Sequence, residues 1–209
     1  QLGYVAAFPI PQVSPGISAF TRGVRSVNPD ATVKVVWTST WFDPALERQA
    51  AEALLDGGAD VIAQHQDTAG PQQAAQDRGA YGVGYDADMS SLAPDAVLTS
   101  AIWNWGVYYI DAVQKIQAGT WVSNQYWGGW KDGIVDLAPI GPMVPDDVKA
   151  QATAEADKFK SGEQSIFTIF TGPINDNSGA AKLPDGQAMT DQELLSMDWF
   201  VEGVDGKVG

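Results

Sequence analysis

Residues 32–65, TVKVVWTSTWFDPALERQAAEALLDGGADVIAQH, decide the fold class. Residues 32–40 are rich in β-branched side chains and predict a strand, residues 44–56 have the spacing of an amphipathic helix, and residues 59–65 predict a second strand. Asp43 is placed to cap the helix, a proline follows at its first position, and a Gly-Gly pair ends it. A strand, a helix and a strand joined by short turns predict a βαβ unit with parallel strands.

The same alternation of strands and helices continues on both sides of this unit. Further strands are predicted at residues 2–10, 80–86 and 96–103, and helices at 14–27, 71–78 and 106–118. The sequence therefore predicts an α/β fold with a parallel sheet flanked by helices. Right-handed crossovers bring the carboxyl ends of such strands to one edge, where open α/β sheets bind ligands.

The pattern changes after residue 121, where a Trp- and Gly-rich stretch begins. Beyond it we predict, in order, a strand at 134–140, a helix at 146–161, a strand at 165–174, a hairpin around 175–187 and a short helix from 190 to about 200. Thr190 and Glu193 have the spacing of a capping box for this last helix. We divide the chain into an α/β ligand-binding lobe, residues 1–133, and a second region, residues 134–209.

The composition argues against several classes of function. Hydrophobic residues make up 44% of the 209 residues, which favours a folded core over disorder. A net charge of −14 argues against binding to nucleic acid or to an anionic membrane, because phosphates are bound by clustered Lys and Arg. The chain has no cysteine, so it has no disulfide, no thiol nucleophile and no Cys-bound zinc. No apolar run has the ~18–20 residues of a membrane span.

Aromatic residues cluster near the predicted strand ends. The chain has eight Trp. Trp41 and Phe42 follow one strand, while Trp103 ends another with Trp105 just beyond. Burial in the core or between domains is the alternative for any single Trp. As a set they favour a cleft that stacks a flat ring.

Three polar residues follow the strand ends as well. Asp67 and Asp86 could accept hydrogen bonds from ring N–H, amino or hydroxyl groups, or they could cap the next helix or turn. His65 is the only histidine, so a site with two His ligands is excluded, and the alternative is a polar side chain satisfied at a strand end. No metal or cofactor motif and no catalytic constellation is present, so we expect no cofactor and no enzymatic activity.

Several segments, in chain order, resemble the basic membrane protein (BMP) family of solute-binding proteins. They are GYVAAFPIPQVSPGISAF (3–20), WFDPALERQAAEALLDGGADVIAQHQD (41–67), GYDADM (84–89), LTSAIWNWG (98–106), DGIVDLAP (132–139) and PDGQAMTDQELLSMDWFVEGV (184–204). The resemblance implies a lobe of the type I periplasmic-binding-protein fold. It also implies a solute-binding component of an ABC importer that binds a purine base or nucleoside, adenine included, and meets a membrane permease.

The resemblance assigns roles to particular residues. The family's stacking aromatic matches Phe42, with Trp41 beside it, and the family's ligand-binding Asp matches Asp86. The family's sugar-binding Lys falls where this chain has Trp103, which favours a bare base over a nucleoside. Lys131 is the candidate to replace that Lys.

The resemblance also implies a further N-terminal α/β lobe before residue 1. Residues 134–209 would then be return segments that complete that lobe, and this chain would hold about half of the cleft. Unpaired strand edges favour a homodimer. The family implies a periplasmic location, as a soluble protein or a lipoprotein. Two alternatives stay open, which are a ligand-sensing domain of a regulator and a nucleoside-processing enzyme that uses Asp67 or Asp86.

Overall fold

The computed structural model describes residues 1–208, which form a seven-stranded sheet, a separate two-stranded hairpin and seven helices. The strands are β1 (Leu2–Ala6), β2 (Val33–Trp37), β3 (Val61–His65), β4 (Tyr81–Asp86), β5 (Val97–Trp103), β6 (Val135–Leu137), β7 (Ile174–Asn175), β8 (Ala181–Leu183) and β9 (Val204–Asp205). The helices are α1 (Ser14–Val27), α2 (Pro44–Asp56), α3 (Gly70–Asp77), α4 (Trp105–Gln117), α5 (Asp146–Ser161), α6 (Ile166–Ile169) and α7 (Asp191–Leu195).

The large sheet has the order β6-β5-β4-β3-β1-β2-β9. All its strand pairs are parallel except β5–β6, which is antiparallel. This confirms the predicted α/β class with a mainly parallel sheet. The strands β2, β1, β3, β4 and β5 end side by side at one edge, so the loops that follow them are neighbours.

Two hydrophobic cores cover the two faces of the sheet. Along β1, Tyr4 and Ala6 belong to one core and Val5 to the other, because successive side chains of a strand point to opposite faces. The first core packs α1 and the C-terminal segments, and the second packs α2 and α3. A Cβ on Gly3 would lie 2.9 Å from Leu54, so glycine lets α2 approach β1 closely.

Helix α2 begins as its sequence predicts. The Asp43 carboxylate accepts hydrogen bonds from the backbone N–H groups of Ala45 and Leu46, both at 3.0 Å. Such a cap satisfies donors that the first turn of a helix leaves unpaired. The limits of α1, α2 and α5 coincide with the helices predicted at 14–27, 44–56 and 146–161.

The strand predicted at residues 165–174 is wrong for most of its length. Residues 166–169 form α6, for which Ser165 and Thr168 make a capping box. The Arg22 guanidinium of α1 donates a 2.6 Å hydrogen bond to the carbonyl of Ile169, and Phe170 is fully buried in the first core. The β-branched composition of this stretch is therefore overridden by contacts with a helix more than 140 residues away.

Three smaller differences concern strand and helix limits. β1 ends at Ala6 rather than at residue 10, since the prolines at 9 and 11 interrupt the run and proline cannot donate to a strand ladder. The helix after Thr190 ends at Leu195 rather than near residue 200. The edge strand β9 has no counterpart among the predicted strands.

Parts of the region 134–208 belong to the same sheet and core as the first 133 residues. β6 and β9 form its two edges, and Phe170 and Phe200 share a core with Tyr4. The edge strands are only three and two residues long, which offers little backbone for pairing with a second copy. The division at residue 133 and the homodimer both stay predictions.

Candidate ligand-binding site

A cavity of about 490 Å³ opens at the carboxyl edge of the sheet. Its walls come from the last residues of β3, β4 and β5 and from the segments that follow β1, β2, β3 and β5, which converge because parallel strands end together. The lining residues are Gln12, Trp41, His65, Asp67, Tyr85, Asp86, Trp103 and Trp105. This is the position where open α/β sheets bind ligands.

Aromatic rings run across the cavity in an unbroken series, which we call the ring series. Its members, in contact order, are Phe8, Trp41, His65, Tyr85, Trp103 and Trp105, with successive centroids 5.1, 6.1, 4.3, 6.1 and 6.3 Å apart. Each distance suits offset or edge-on contact between rings. The ring series therefore presents several aromatic surfaces on which a flat ligand could stack.

Glu47 holds two of the site loops in place. It is fully buried in α2, and its carboxylate accepts hydrogen bonds from the backbone N–H of Asp43 at 2.9 Å and of Thr68 at 3.2 Å. The Thr68 hydroxyl donates a further hydrogen bond to the same carboxylate. Because Trp41 and Asp67 are close neighbours of these two residues in the chain, Glu47 fixes the positions from which both reach the cavity.

The backbone turns sharply at the end of β4. Asp86 has a φ of 69°, in the left-handed region that non-glycine residues seldom occupy. Aspartate tolerates this conformation better than bulky or β-branched residues do. The unusual backbone occurs at a residue that lines the cavity, where such conformations are often found.

The electrostatics of the site favour a neutral imidazole beside two carboxylates. Burial lowers the pKa of His65 to about 4, so its ring is uncharged at neutral pH. Burial, followed by repulsion from Asp86, raises the pKa of Asp67 above its usual range. Burial likewise raises the pKa of Tyr85 to about 12, so its hydroxyl keeps its proton. The site can thus donate from a phenol, donate or accept at an imidazole, and accept strongly at two carboxylates.

Six of the eight site residues predicted from the sequence line this one cavity. They are Trp41, His65, Asp67, Asp86, Trp103 and Trp105. Phe42 is 67% exposed and does not line it. Lys131 lines a neighbouring cavity of about 570 Å³, which shares Trp103 with the first. That these residues bind a ligand stays a prediction.

Sequence reasoning missed three residues of the site. Gln12 follows β1 and Tyr85 is the last residue before Asp86, so a search of every strand end would have found both. Glu47 lies inside a helix and resembles any surface glutamate of an amphipathic pattern. Its burial depends on a loop some 20 residues further along the chain, for which the sequence carries no local signal.

This fold is of the periplasmic-binding-protein-like α/β class. The chain belongs to the Bmp family, described as ABC transporter substrate-binding protein PnrA-like, whose family model matches residues 1–178.

Three known proteins are similar to this chain. It is 45% identical to a purine-binding protein of Brucella abortus, over 99% of this chain and 58% of that protein. It is 40% identical to a putative ABC transporter glucose-binding protein of Haloferax volcanii, over 99% of this chain and 50% of that protein. A transcriptional activator of the comK gene from Bacillus halodurans has a similar structure, with a TM-score of 0.69 at 25% identity over 78% of this chain and 57% of that one. The chain thus spans about half the length of the curated relatives it matches.

Two features are absent from residues 1–208. No helix there combines the length and the apolar character needed to cross a membrane. Within the same residues, no three His, Asp or Glu side chains lie together in a way that could hold a metal ion.

Proposed function

We propose that this chain is the solute-binding component of an ABC importer and that its strand-end cavity holds a purine base. The observation that carries the proposal is the ring series, which gives the cavity several aromatic surfaces beside its polar groups. Stacking of a base on an aromatic side chain contributes roughly 1–3 kcal/mol. The relative named as a purine-binding protein, at 45% identity over nearly all of this chain, supports the same ligand class.

A bare base such as adenine fits the site better than a nucleoside does. The position of the family's sugar-binding Lys is Trp103 here, whose ring is part of the cavity wall. Lys131, the candidate replacement, lines the neighbouring cavity instead. No cationic side chain is therefore among the lining residues to hold a ribose.

The same proposal covers location and partners. Substrate-binding proteins of ABC systems act outside the cytoplasm and deliver their ligand to a membrane permease. We propose a periplasmic protein, soluble or lipid-anchored, whose cavity is one wall of a two-lobed cleft that closes on the ligand. The protein needs no catalytic group for this role.

Titration calorimetry on the complete gene product tests the ligand. We expect adenine or guanine to bind, and Trp41→Ala to weaken binding about tenfold or more through lost stacking. Trp127→Ala is the matched control, because Trp127 is exposed and lines no part of the cavity. Failure of every purine base and nucleoside to bind would overturn the proposal.

Two other functions have support from the comparisons. The Haloferax relative is named as a putative glucose-binding protein, and aromatic rings with carboxylates also suit a sugar, so glucose belongs in the same titration. Glucose binding without purine binding would replace the purine. The similarity to a transcriptional activator favours a ligand-sensing role, which a DNA-binding segment in the complete gene product would support.

A further inference from the structure

The charged groups that line the ring-series cavity all carry the same sign. Asp67 and Asp86 are its two carboxylates, and no Lys or Arg is among its lining residues. Neither carboxylate forms a salt bridge, and neither accepts a hydrogen bond from residues 1–208. Both line the same cavity, and repulsion from Asp86 adds to burial in raising the pKa of Asp67.

A third polar group in the cavity also lacks a partner. His65 is only 7% exposed, lines the cavity, and makes no side-chain hydrogen bond within residues 1–208. The ring nitrogens of His65 are therefore free to form hydrogen bonds with a ligand in the cavity. Because the ring is neutral at pH 7, it adds no positive charge to offset the carboxylates.

These groups set requirements for the ligand that shape alone does not. Carboxylates accept hydrogen bonds and donate none, so an edge bearing N–H or NH₂ groups satisfies both of them. A cation gains further from the aromatic faces and from the two negative charges. An anion is repelled by the two carboxylates and by the protein as a whole, whose net charge is −14.

We propose that this site selects its ligand by charge, taking a neutral or cationic nitrogen heterocycle with several N–H donors and excluding anionic and phosphorylated forms. Asp67 and Asp86 are the residues that determine this specificity. The inference rests on the proposed function and deepens it, since it separates aminopurines from oxidised purines and nucleotides that have the same ring.

Competition titrations with a set of purines test the selection. The complete gene product is titrated near neutral pH with adenine, which is neutral, with 1-methyladenosine, which is cationic, and with urate and adenosine monophosphate, which are anionic. We expect adenine to bind at least 100-fold more tightly than urate, and 1-methyladenosine at least 100-fold more tightly than the monophosphate. Raising the salt concentration should reduce both differences in affinity, since salt screens the interaction between charges.

The variant Asp67→Asn combined with Asp86→Asn should reduce the preference for adenine over urate at least tenfold. Asp88→Asn is the matched control, because Asp88 lies two residues after Asp86 but does not line the cavity. Thermal melts establish whether each variant is folded. If a variant does not fold, the wild-type titrations still test whether the site discriminates against anionic ligands.

The outcomes separate the two proposals. If no purine binds, the proposed function fails and the charge selection with it. If adenine and urate bind equally well, the charge selection is overturned while the proposed function stands. If the preference survives in the double variant, Asp67 and Asp86 are not its source and the inference fails.

Discussion

At the residue scale, His65 joins the two halves of the ring series. Its ring lies 6.1 Å from that of Trp41 and 4.3 Å from that of Tyr85. The carboxylates of Asp67 and Asp86 line the same cavity and would favour a charged imidazole, yet burial dominates and lowers the pKa of His65 to about 4. The folded protein therefore resists protonation of a residue that protonates readily once the chain unfolds.

The pKa of His65 predicts how stability depends on pH. The unfolded chain binds a proton at this histidine below pH 6.5, whereas the folded protein does so only near pH 4. The free energy of unfolding should therefore fall as the pH drops from 6.5 to 4, by up to ~1 kcal/mol per pH unit from this group. Denaturant unfolding of wild type and of His65→Gln at a series of pH values measures it.

This prediction is checked by the slope of the free energy of unfolding against pH, compared between the two proteins. The difference between the two slopes cancels the contribution of the acidic groups that both proteins contain. His65→Gln should show the shallower loss of stability over this range. Parallel curves for the two proteins would show that burial does not shift the pKa of this histidine.

At the scale of the elements, the site depends on helix α2 as much as on the strands. The N-terminus of α2 is capped by Asp43, and one turn later the buried carboxylate of Glu47 joins the loops that follow β2 and β3. Strand ends alone would leave these loops free to move. Helix α2 therefore fixes the positions of Trp41 and Asp67 at this edge of the sheet.

Substitution of Glu47 should destabilise the protein and disturb the site together. Glu47→Ala leaves buried N–H and hydroxyl donors without an acceptor, so we expect the free energy of unfolding to fall by about 2 kcal/mol or more. Glu47→Gln keeps an acceptor oxygen and should lose less. Chemical denaturation measures both variants.

Glu52→Ala is the control for Glu47, since Glu52 lies on the same helix but forms an exposed ion pair with Arg48. Such a pair contributes little, so this variant should remain within about 0.5 kcal/mol of wild type. Equal losses for Glu47→Ala and Glu52→Ala would refute the anchoring role of Glu47.

At the scale of the whole molecule, the C-terminal residues are part of the main core. Phe170, Phe200 and Val204 pack with Tyr4 and Ala6 on one face of the sheet. Segments far apart in the chain therefore share buried surface. We expect them to unfold in one cooperative transition.

Phe170→Ala tests the contribution of the C-terminal segment to this core. Its side chain is fully buried, so we expect the free energy of unfolding to fall by about 3–5 kcal/mol. Phe167→Ala is the matched control, because Phe167 lies three residues earlier and is 37% exposed. Calorimetry should give a single transition for all three proteins, and a separate early transition in Phe170→Ala would contradict a shared core.

The sequence by itself determined the order of the elements from β1 to α5, the α/β class and the strand-end positions of Trp41, His65, Asp67, Asp86 and Trp103. These follow from local periodicity, capping residues and glycines, which act over a few residues and are visible in the chain. The limits of α1, α2 and α5 were predictable for that reason.

Only the tertiary structure decided which of those residues meet. The order of the strands places β3, β4 and β5 side by side, and that order depends on pairing between segments distant in sequence. The same kind of contact buries Glu47, turns residues 166–169 into a helix beneath Arg22, and leaves Phe42 outside the cavity while Trp41 lines it. Long-range packing can override local preference because burial of an entire side chain outweighs the few tenths of a kcal/mol by which propensities differ.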